Sequence, residues 1–272
     1  MEVHHHSHLA SGETHAADPG IHRGRKKWTH YFWEFLMLFL AVFCGFLAEN
    51  QREHFVEAHR AKEYAKGLLS DMRLDTGELR RGIYVTNLTI SAIDSIVANA
   101  KKSSNKNSVP SAVYYYSRFI SYSFRIDWSR STLDQLIQSG NLRYFRNKDL
   151  VSLINSYYYF QGLIAAQNQI DAGHRDKTME LRNGILINSY YVDYSKEGLD
   201  FTGLFAAGNP NDFFETRDLP LQKNADMQMD KYLNYLTDRK LRLSHIVTYY
   251  YREANKTALE IIRSLLAEYK LK

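Results

Sequence analysis

One stretch near the start of the chain limits the fold more than any other: RGRKKWTHYFWEFLMLFLAVFCGFLAENQRE. It carries no charge over residues 35–48, a run of about 14 residues that a helix extends over about 21 Å. Including Trp28, Tyr31 and Trp33 lengthens it to about 21 residues, enough to cross a hydrocarbon core of about 30 Å. We therefore predict a transmembrane helix. Glu34 interrupts it near the first turn, where water and the helix dipole make an anion tolerable.

Two other interpretations of this stretch remain open. A cleaved signal peptide has the same order of basic and apolar regions, but cleavage before Glu49 would place the bulky Phe46 where a small residue is required. A buried core helix of a soluble protein seldom has so aromatic and so basic a leading flank. We favour an uncleaved signal-anchor helix over residues 28–49. Its anchoring side chains are Trp28, Tyr31, Trp33, Phe35, Leu36, Leu38, Phe39, Leu40, Val42, Phe43, Phe46 and Leu47.

Basic residues cluster immediately before the apolar helix, whereas Arg52 after it is accompanied by Glu49 and Glu53. Lysine and arginine are retained on the cytoplasmic side of a membrane span. We therefore predict a single-pass protein of the inner (cytoplasmic) membrane, with its N-terminus cytoplasmic and its C-terminal body periplasmic. The residues that decide this topology are Arg23, Arg25, Lys26 and Lys27.

Histidines crowd the basic tail formed by residues 1–27. Neutral imidazoles at this density suit borderline metal ions such as zinc, nickel or copper. A selective site needs preorganised ligands, however, and Gly12, Pro19 and Gly20 leave little in this tail that packs. We interpret its metal affinity as adventitious and expect no cofactor. The candidate metal ligands are His4, His5, His6 and His8.

Residues 50–272 contain few helix breakers, because the whole chain has only 4 prolines. Downstream of the span, apolar or small residues recur at steps of four and three, which predicts an amphipathic helix that continues from the membrane, with or without breaks at Gly77 and Gly82. We favour packing of this helix within its own chain over an intermolecular coiled coil. The seam consists of Met72, Thr76, Leu79, Ile83, Thr86, Ile90, Ile93 and Val97.

Capping signals and periodicity predict further helices. SAVYYYSRFISYSF reads as one helix, and Ser131 and Gly140 predict the N-cap and the left-handed C-terminal residue of a short helix. Asn147 predicts the N-cap of a long helix reaching towards Ile187. A terminal helix follows from apolar steps starting at Leu243, and only residues near 193–223 lack a period. The predicted fold is all-α, an N-terminal transmembrane helix followed by a bundle of long helices over residues 50–272.

The sequence lacks the motifs of familiar catalytic chemistry. It contains no Gly-rich phosphate loop, no HExxH and no GxSxG, and its one cysteine, Cys44, lies in the apolar helix. His174 near Asp171 has the composition of an acid–base pair, and Asp71 with Asp75 that of a solvated helix face, as charged helices routinely do. We expect no enzymatic activity. The mild net charge of +5 is spread along the chain, which argues against a nucleic-acid partner.

Tyrosine runs recur along the predicted helices. Three consecutive residues span about 200° of a helix, so each run should place one or two rings in the core and leave at least one hydroxyl near water or a partner. Packing at the edge of the core is the simpler interpretation, and a shared aromatic surface for a protein or glycan ligand is the alternative. The candidates for that interaction surface are Tyr114, Tyr115, Tyr157, Tyr158, Tyr249, Tyr250, Phe213 and Phe214.

Three stretches, MEVHHHSH, KKWTHYFWEFLMLFLAVFCGFLAENQREH and SGNLRYFRNKDLVSLINSYY, resemble an uncharacterised family of single-span membrane proteins common in Bacteroidetes. The resemblance covers the N-terminal third of the chain and one element in its middle. It implies that the histidine-rich start and the anchor belong together, and it implies no activity.

These observations predict a membrane-anchored helical scaffold or interaction protein, of the kind that serves as an accessory or sensor-like subunit. Its expected partners are the lipid bilayer and either another protein or a second copy of the chain. The first alternative is a periplasmic ligand-binding bundle that uses the Phe-rich residues 201–214, with a small-molecule ligand that the sequence does not identify. The second is an enzyme of unrecognised class.

Overall fold

The computed structural model describes residues 28–103, 105–190 and 217–271, and this part of the chain is overwhelmingly helical. The chain divides into two compact units, Met1–Phe55 and Val56–Lys272. The prediction of an all-α chain built as a helical bundle is confirmed. The helices are α1 (Trp28–Asn99), α2 (Ser111–Ser117), α3 (Ser131–Gln138), α4 (Lys148–Asn183), α5 (Asp226–His245) and α6 (Arg252–Tyr269).

Helix α1 continues without a break at either glycine. From Ala61 onwards it buries one face within its own chain, including Met72, Leu79 and Ile93 of the predicted seam. Gly82 lies where α1 closely approaches its neighbours, since a Cβ atom there would stand 3.0 Å from Cδ1 of Phe124. The amphipathic helix therefore packs inside the bundle, as the sequence favoured.

A short two-stranded ladder joins the connection after α1 to the end of the segment near 193–223 that lacks a period. Strand β1 (Ser108–Pro110) pairs antiparallel with β2 (Asp218–Pro220), and buried Val109 stands opposite buried Leu219. Three residues are too few for an alternating pattern to be recognised, and each strand ends in a proline, which suits only a sheet edge. The sequence pattern therefore did not reveal these two strands, which leave the chain all-α in class.

The helix predicted over SAVYYYSRFISYSF ends early. Helix α2 stops at Ser117, a 3₁₀ turn covers Phe119–Ser121, and Tyr122 is extended with φ −98° and ψ 145°. The guanidinium of Arg239 donates to the carbonyl oxygens of Ile120 and Tyr122, which holds these groups out of a helical ladder. Residues 122–130, named here the linking segment, contain no helix or strand.

Two of the three capping predictions were right and one was wrong, and one predicted helix end differs. Oδ1 of Asn147 accepts from the backbone N–H groups of the first turn of α4, and Gly140 is left-handed with φ 67°. Ser131 is instead the first residue of α3, whose N-cap is Arg130 and forms no side-chain capping bond. Helix α4 ends at Asn183 rather than near Ile187.

The predicted terminal helix contains one irregular turn. Between α5 and α6, Ile246–Tyr251 form a π-helix, so the helical path runs from Asp226 to Tyr269 with a local insertion. A π turn places more residues per turn against the neighbouring elements. Tyr251 and Val247 are both buried in this turn. The apolar spacing of three and four residues that starts at Leu243 includes Val247 but not Tyr251.

Candidate interaction groove

An open groove of about 900 Å³ lies between α1 and the linking segment. The floor and one wall come from consecutive turns of α1, and the other wall comes from the linking segment. The lining residues are Arg73, Leu74, Gly77, Glu78 and Arg81 of α1 with Phe124, Arg125, Asp127, Trp128 and Ser129 of the linking segment.

The groove combines apolar side chains with a basic rim. Leu74 is 61% exposed, and half-buried Phe124 and Trp128 present their rings from the opposite wall. Three arginines line the groove against two acids, and the guanidinium of Arg81 lies 6.0 Å from the ring centroid of Phe124. Tryptophan, phenylalanine and arginine are enriched where proteins bind one another, so this composition is that of a binding surface.

The floor of the groove is open at Gly77. A Cβ atom built on Gly77 would meet no other atom within 4 Å, whereas one built on Gly82 would collide with Phe124. A side chain introduced at Gly77 would therefore project into the groove without disturbing the helix packing behind it.

Buried Asp75 holds the second wall in place. Its Oδ1 accepts from the backbone N–H of Ser129 at 2.7 Å, and its Oδ2 accepts from Oη of Tyr157 at 2.7 Å and from Nε2 of Gln161 at 3.3 Å. The ring of Tyr157 in turn packs edge-on against the indole of Trp128, with centroids 6.1 Å apart. One carboxylate thus supports both Ser129 and Trp128.

Asp71, one turn earlier on α1, supports the adjoining residues. Its Oδ1 accepts from Oγ of Ser129 at 3.0 Å, and its Oδ2 accepts from the backbone N–H of Thr132 at 2.9 Å. The carboxylate therefore caps the N-terminus of α3 from a neighbouring helix, where the helix dipole favours an anion. The spacing of Asp71 and Asp75 in the sequence predicts a solvated face. That interpretation was wrong, because both side chains are buried.

The environment of Asp75 changes its acidity. Burial is the main cause that raises the pKa of this carboxyl to about 6. The nearby charge of Asp71 adds to the rise, and the bonds from Ser129, Tyr157 and Gln161 oppose it. Burial, together with the charge of Asp75, also raises the pKa of Tyr157. Near neutral pH a small change in conditions therefore alters the charge directly behind the groove.

A second buried cluster ties down the beginning of the linking segment. Nε and Nη2 of Arg239 on α5 bind the two carboxylate oxygens of Asp171 on α4 at 3.1 and 3.2 Å. Ser123 donates its hydroxyl to the same carboxylate, and Arg239 also holds the carbonyl oxygens of Ile120 and Tyr122. The linking segment is thus fixed to the helices at both ends, which gives the groove a rigid wall.

The tyrosines proposed as an interaction surface fall into two groups. Tyr114, Tyr115 and Tyr157 are buried, and a buried ring offers no surface to a partner. Tyr158 and Tyr249 are exposed. Tyr250 is half-buried against the core, while Phe213 and Phe214 lie outside the described residues. Each described run of three places at least one ring inside, as the helix geometry required.

The anchor residues lie along the first part of α1. Eleven of the twelve are exposed and Leu36 is half-buried. An 18-residue window of this helix has a mean hydropathy of 2.0 and none of it is buried, so α1 is long and apolar enough to cross a membrane. Nε2 of His30 lies 3.1 Å from Oε1 of Glu34, which gives the interrupting acid a local partner.

The other sequence candidates contribute no site among the described residues. His4, His5, His6, His8 and the topology residues Arg23, Arg25, Lys26 and Lys27 lie outside them. Within residues 28–103, 105–190 and 217–271, no three histidine, cysteine or acidic side chains are grouped to hold a metal ion. Asp171 does not pair with His174, because its carboxylate binds Arg239. The acid near His174 is Asp238, whose Oδ2 lies 3.9 Å from Nδ1 of His174.

Sequence reasoning missed the groove because its two walls come from residues about fifty positions apart. One signal of contact between the two walls was present in the sequence. The backbone N–H groups of WSRST need acceptors, and the acid pair on α1, Asp71 and Asp75, can supply them. The chain matches no protein-family model, no curated protein and no solved structure. The resemblance to the Bacteroidetes family therefore stays a prediction.

Proposed function

We propose that the chain is a membrane-anchored interaction protein, with a signal-anchor helix over residues 28–49 and a helical body that binds a protein partner. The observation that carries the anchor is the uncovered apolar window of α1, none of which is buried. A helix that is apolar on all sides needs an apolar environment around it, and a lipid bilayer supplies one.

The proposed location is the inner membrane, with the body on the periplasmic side. The four basic residues ahead of the span support this orientation through the positive-inside rule. A C-terminal alkaline phosphatase fusion, matched by a C-terminal fluorescent fusion that matures only in the cytoplasm, tests it. We expect an active phosphatase and a dark fluorophore, and the opposite pattern would overturn the orientation. Resistance of the chain to carbonate extraction tests the anchor itself.

The groove is the proposed docking site of the body, and its occupant is a protein segment that carries acidic residues beside an apolar or aromatic side chain. Charge complementarity supports this choice, since Arg73, Arg81 and Arg125 outnumber the two acids in the lining. The rings of Phe124 and Trp128 and the methyl groups of Leu74 provide the apolar contact. The two buried clusters keep the wall preorganised, which lowers the entropic cost of binding.

Filling the groove tests this assignment. The substitution Gly77→Leu places a side chain in open space inside the groove, and Gly162→Leu on α4 is a matched control, because a Cβ atom there also meets nothing within 4 Å. Chemical crosslinking in native membranes followed by mass spectrometry should recover the same partner from wild type and Gly162→Leu, and at least tenfold less from Gly77→Leu. Equal recovery from all three proteins would show that the groove is not the docking site.

The same experiment separates the two kinds of protein partner. Recovery of a different protein at constant stoichiometry supports an accessory or sensor-like subunit. Recovery of only a second copy of the chain, lost in Gly77→Leu, means that the groove is an interface of a homo-oligomer and contradicts the assignment to another protein. The alternative of a ligand-binding bundle rests on residues 201–214, which lie outside the described residues.

A further inference from the structure

The middle of the linking segment has the geometry of a strand that belongs to no sheet. Residues 122–130 contain no helix, strand, turn or bend. Arg125 and Asp127 are exposed, whereas Ile126 between them is buried in the core. A burial period of two is that of an extended backbone, because successive side chains of a strand point to opposite faces. The alternation thus places Arg125 and Asp127 on one face and Ile126 on the other.

Hydrogen bonds identify the two edges of this extended stretch. The carbonyl oxygens of Tyr122 and Phe124 accept from side chains of α5 and of the π-helix, at 3.2 and 3.5 Å. The backbone N–H of Ser129 donates instead to Oδ1 of Asp75 on α1 at 2.7 Å. In an extended backbone, the N–H and C=O groups of every second residue point to the same edge. The even-numbered residues therefore bond to the bundle on one edge, and the odd-numbered residues face α1 on the other.

The edge that faces α1 has unpaired backbone groups at two positions. Arg125 and Asp127 are on this edge, and both line the groove. Among the residues that the structure describes, neither their backbone groups nor their side chains form a hydrogen bond or an ion pair. An unpaired row of N–H and C=O groups is a template for a further strand. The groove of about 900 Å³ provides open space beside that edge.

We propose that the partner binds the groove as an extended segment whose backbone pairs with Arg125 and Asp127, by addition of a strand to the linking segment. Main-chain hydrogen bonds give such a complex its affinity, and alternate side chains of the added strand give it specificity. An acidic side chain of the partner beside exposed Arg125 would form a cross-strand pair of opposite charge. The exposed side chain of Leu74 and the ring of Trp128 offer apolar contacts to its neighbours. The inference rests on the proposed function, because it specifies how the partner of the groove binds.

Proline and alanine variants separate backbone pairing from side-chain contact. Alanine removes a side chain and keeps the N–H group, whereas proline also removes the N–H group and is compatible with an extended backbone. The pairs are Arg125→Pro with Arg125→Ala and Asp127→Pro with Asp127→Ala, each in the full chain, and the readout is the crosslinking experiment in native membranes. We expect each proline variant to recover about fivefold less partner than its alanine control, because a backbone hydrogen bond is lost and the ring obstructs the added strand. Neither N–H group has a partner within the described chain, so urea denaturation of the proline and alanine variants should have the same midpoint.

Hydrogen exchange of the wild-type chain provides a second test that needs no proline. The wild-type protein, recovered with its crosslinked partner, is compared with Gly77→Leu, from which little partner is expected. We expect the amide protons at positions 125 and 127 to exchange about tenfold more slowly in the wild-type complex. Equal exchange rates would overturn strand addition, even where a proline variant misfolds.

The outcomes distinguish strand addition from the function on which it rests. If Gly77→Leu loses the partner while each proline variant matches its alanine control, the groove is the docking site and strand addition is wrong. If Gly77→Leu retains the partner, or if wild type recovers none, both proposals are wrong. Recovery of only a second copy of the chain, lost in the proline variants, would assign the added strand to this chain and contradict its assignment to another protein.

Discussion

The two ends of the linking segment are held by buried carboxylates in opposite ways. At its beginning, Asp171 is matched by a cation, the fully buried guanidinium of Arg239, in a two-bond fork. At its end, Asp75 is bonded to neutral donors, and the charge that acts on it is that of another acid, Asp71. Both arrangements fix to the bundle a segment that contains neither helix nor strand.

The two ends of the linking segment differ in whether a mutation or a change of pH disrupts them more. A fork between two opposite charges has a defined geometry, and removing one partner leaves the other charge buried and unpaired. A carboxyl held by neutral donors keeps its bonds but titrates within reach of neutral pH, since its pKa is about 6. The beginning of the linking segment is therefore sensitive to mutation, and its end, next to the groove, is sensitive to pH.

The largest predicted effect is at the charged end. The substitution Arg239→Met leaves Asp171 buried without its cation and removes the donors to two carbonyl oxygens. We expect the free energy of unfolding, measured by urea denaturation of the full chain in detergent, to fall by about 3–5 kcal/mol. The control is Arg242→Met, which removes only an exposed pair with Asp238 and should cost less than about 0.5 kcal/mol. Similar losses in both variants would contradict the comparison.

The second effect belongs to the neutral end. A carboxyl whose pKa is higher in the folded protein binds its proton more tightly when folded, so the free energy of unfolding should fall as the pH rises from about 4 to about 6. In Asp75→Asn this contribution disappears, and the new amide can donate to Oε1 of Gln161, which has no hydrogen-bond partner in the described structure.

Denaturation of wild type and Asp75→Asn across this pH range measures the effect. We expect Asp75→Asn to be more stable by about 2 kcal/mol at pH 7.5 and the two proteins to converge near pH 4. A variant that is less stable than wild type at pH 7.5 would show that the charged carboxylate stabilises the fold, contrary to this account.

A third effect concerns the wall of the groove. In Gly82→Ala the added methyl group would stand 3.0 Å from the ring of Phe124, so either the ring or α1 has to shift. We expect a loss of about 1–3 kcal/mol in the free energy of unfolding, together with weaker crosslinking of the partner. Unchanged stability would mean that Phe124 moves freely and that the wall is not rigid.

The smallest effect has the opposite sign. At Gly77→Ala the added methyl group meets open space, and alanine stabilises an exposed helical position relative to glycine by about 0.5–1 kcal/mol. The same denaturation experiment measures it. A destabilised Gly77→Ala would indicate that the floor of the groove is closed in solution.

The long helices were predictable because their apolar period is local, as the burial of Met72, Leu79 and Ile93 shows. The path of the linking segment was not predictable, because the carbonyl oxygens at its beginning are held by Arg239, more than a hundred residues further along the chain. The acid pair on α1 resembled a solvated face because its hydrogen-bond donors also lie far away in the sequence. Two carboxylates four residues apart look alike in sequence whether they meet water or the N-terminus of another helix.

Site-specific photocrosslinking most directly tests the central claim that the groove of the anchored protein binds a partner. A photoreactive phenylalanine analogue replaces Leu74, which is exposed in the groove, or Met227, which is exposed on α5 outside it. After irradiation of native membranes, we expect one discrete crosslinked protein from position 74 and none from position 227. Absence of a crosslink at position 74, or the same products from both positions, would contradict it.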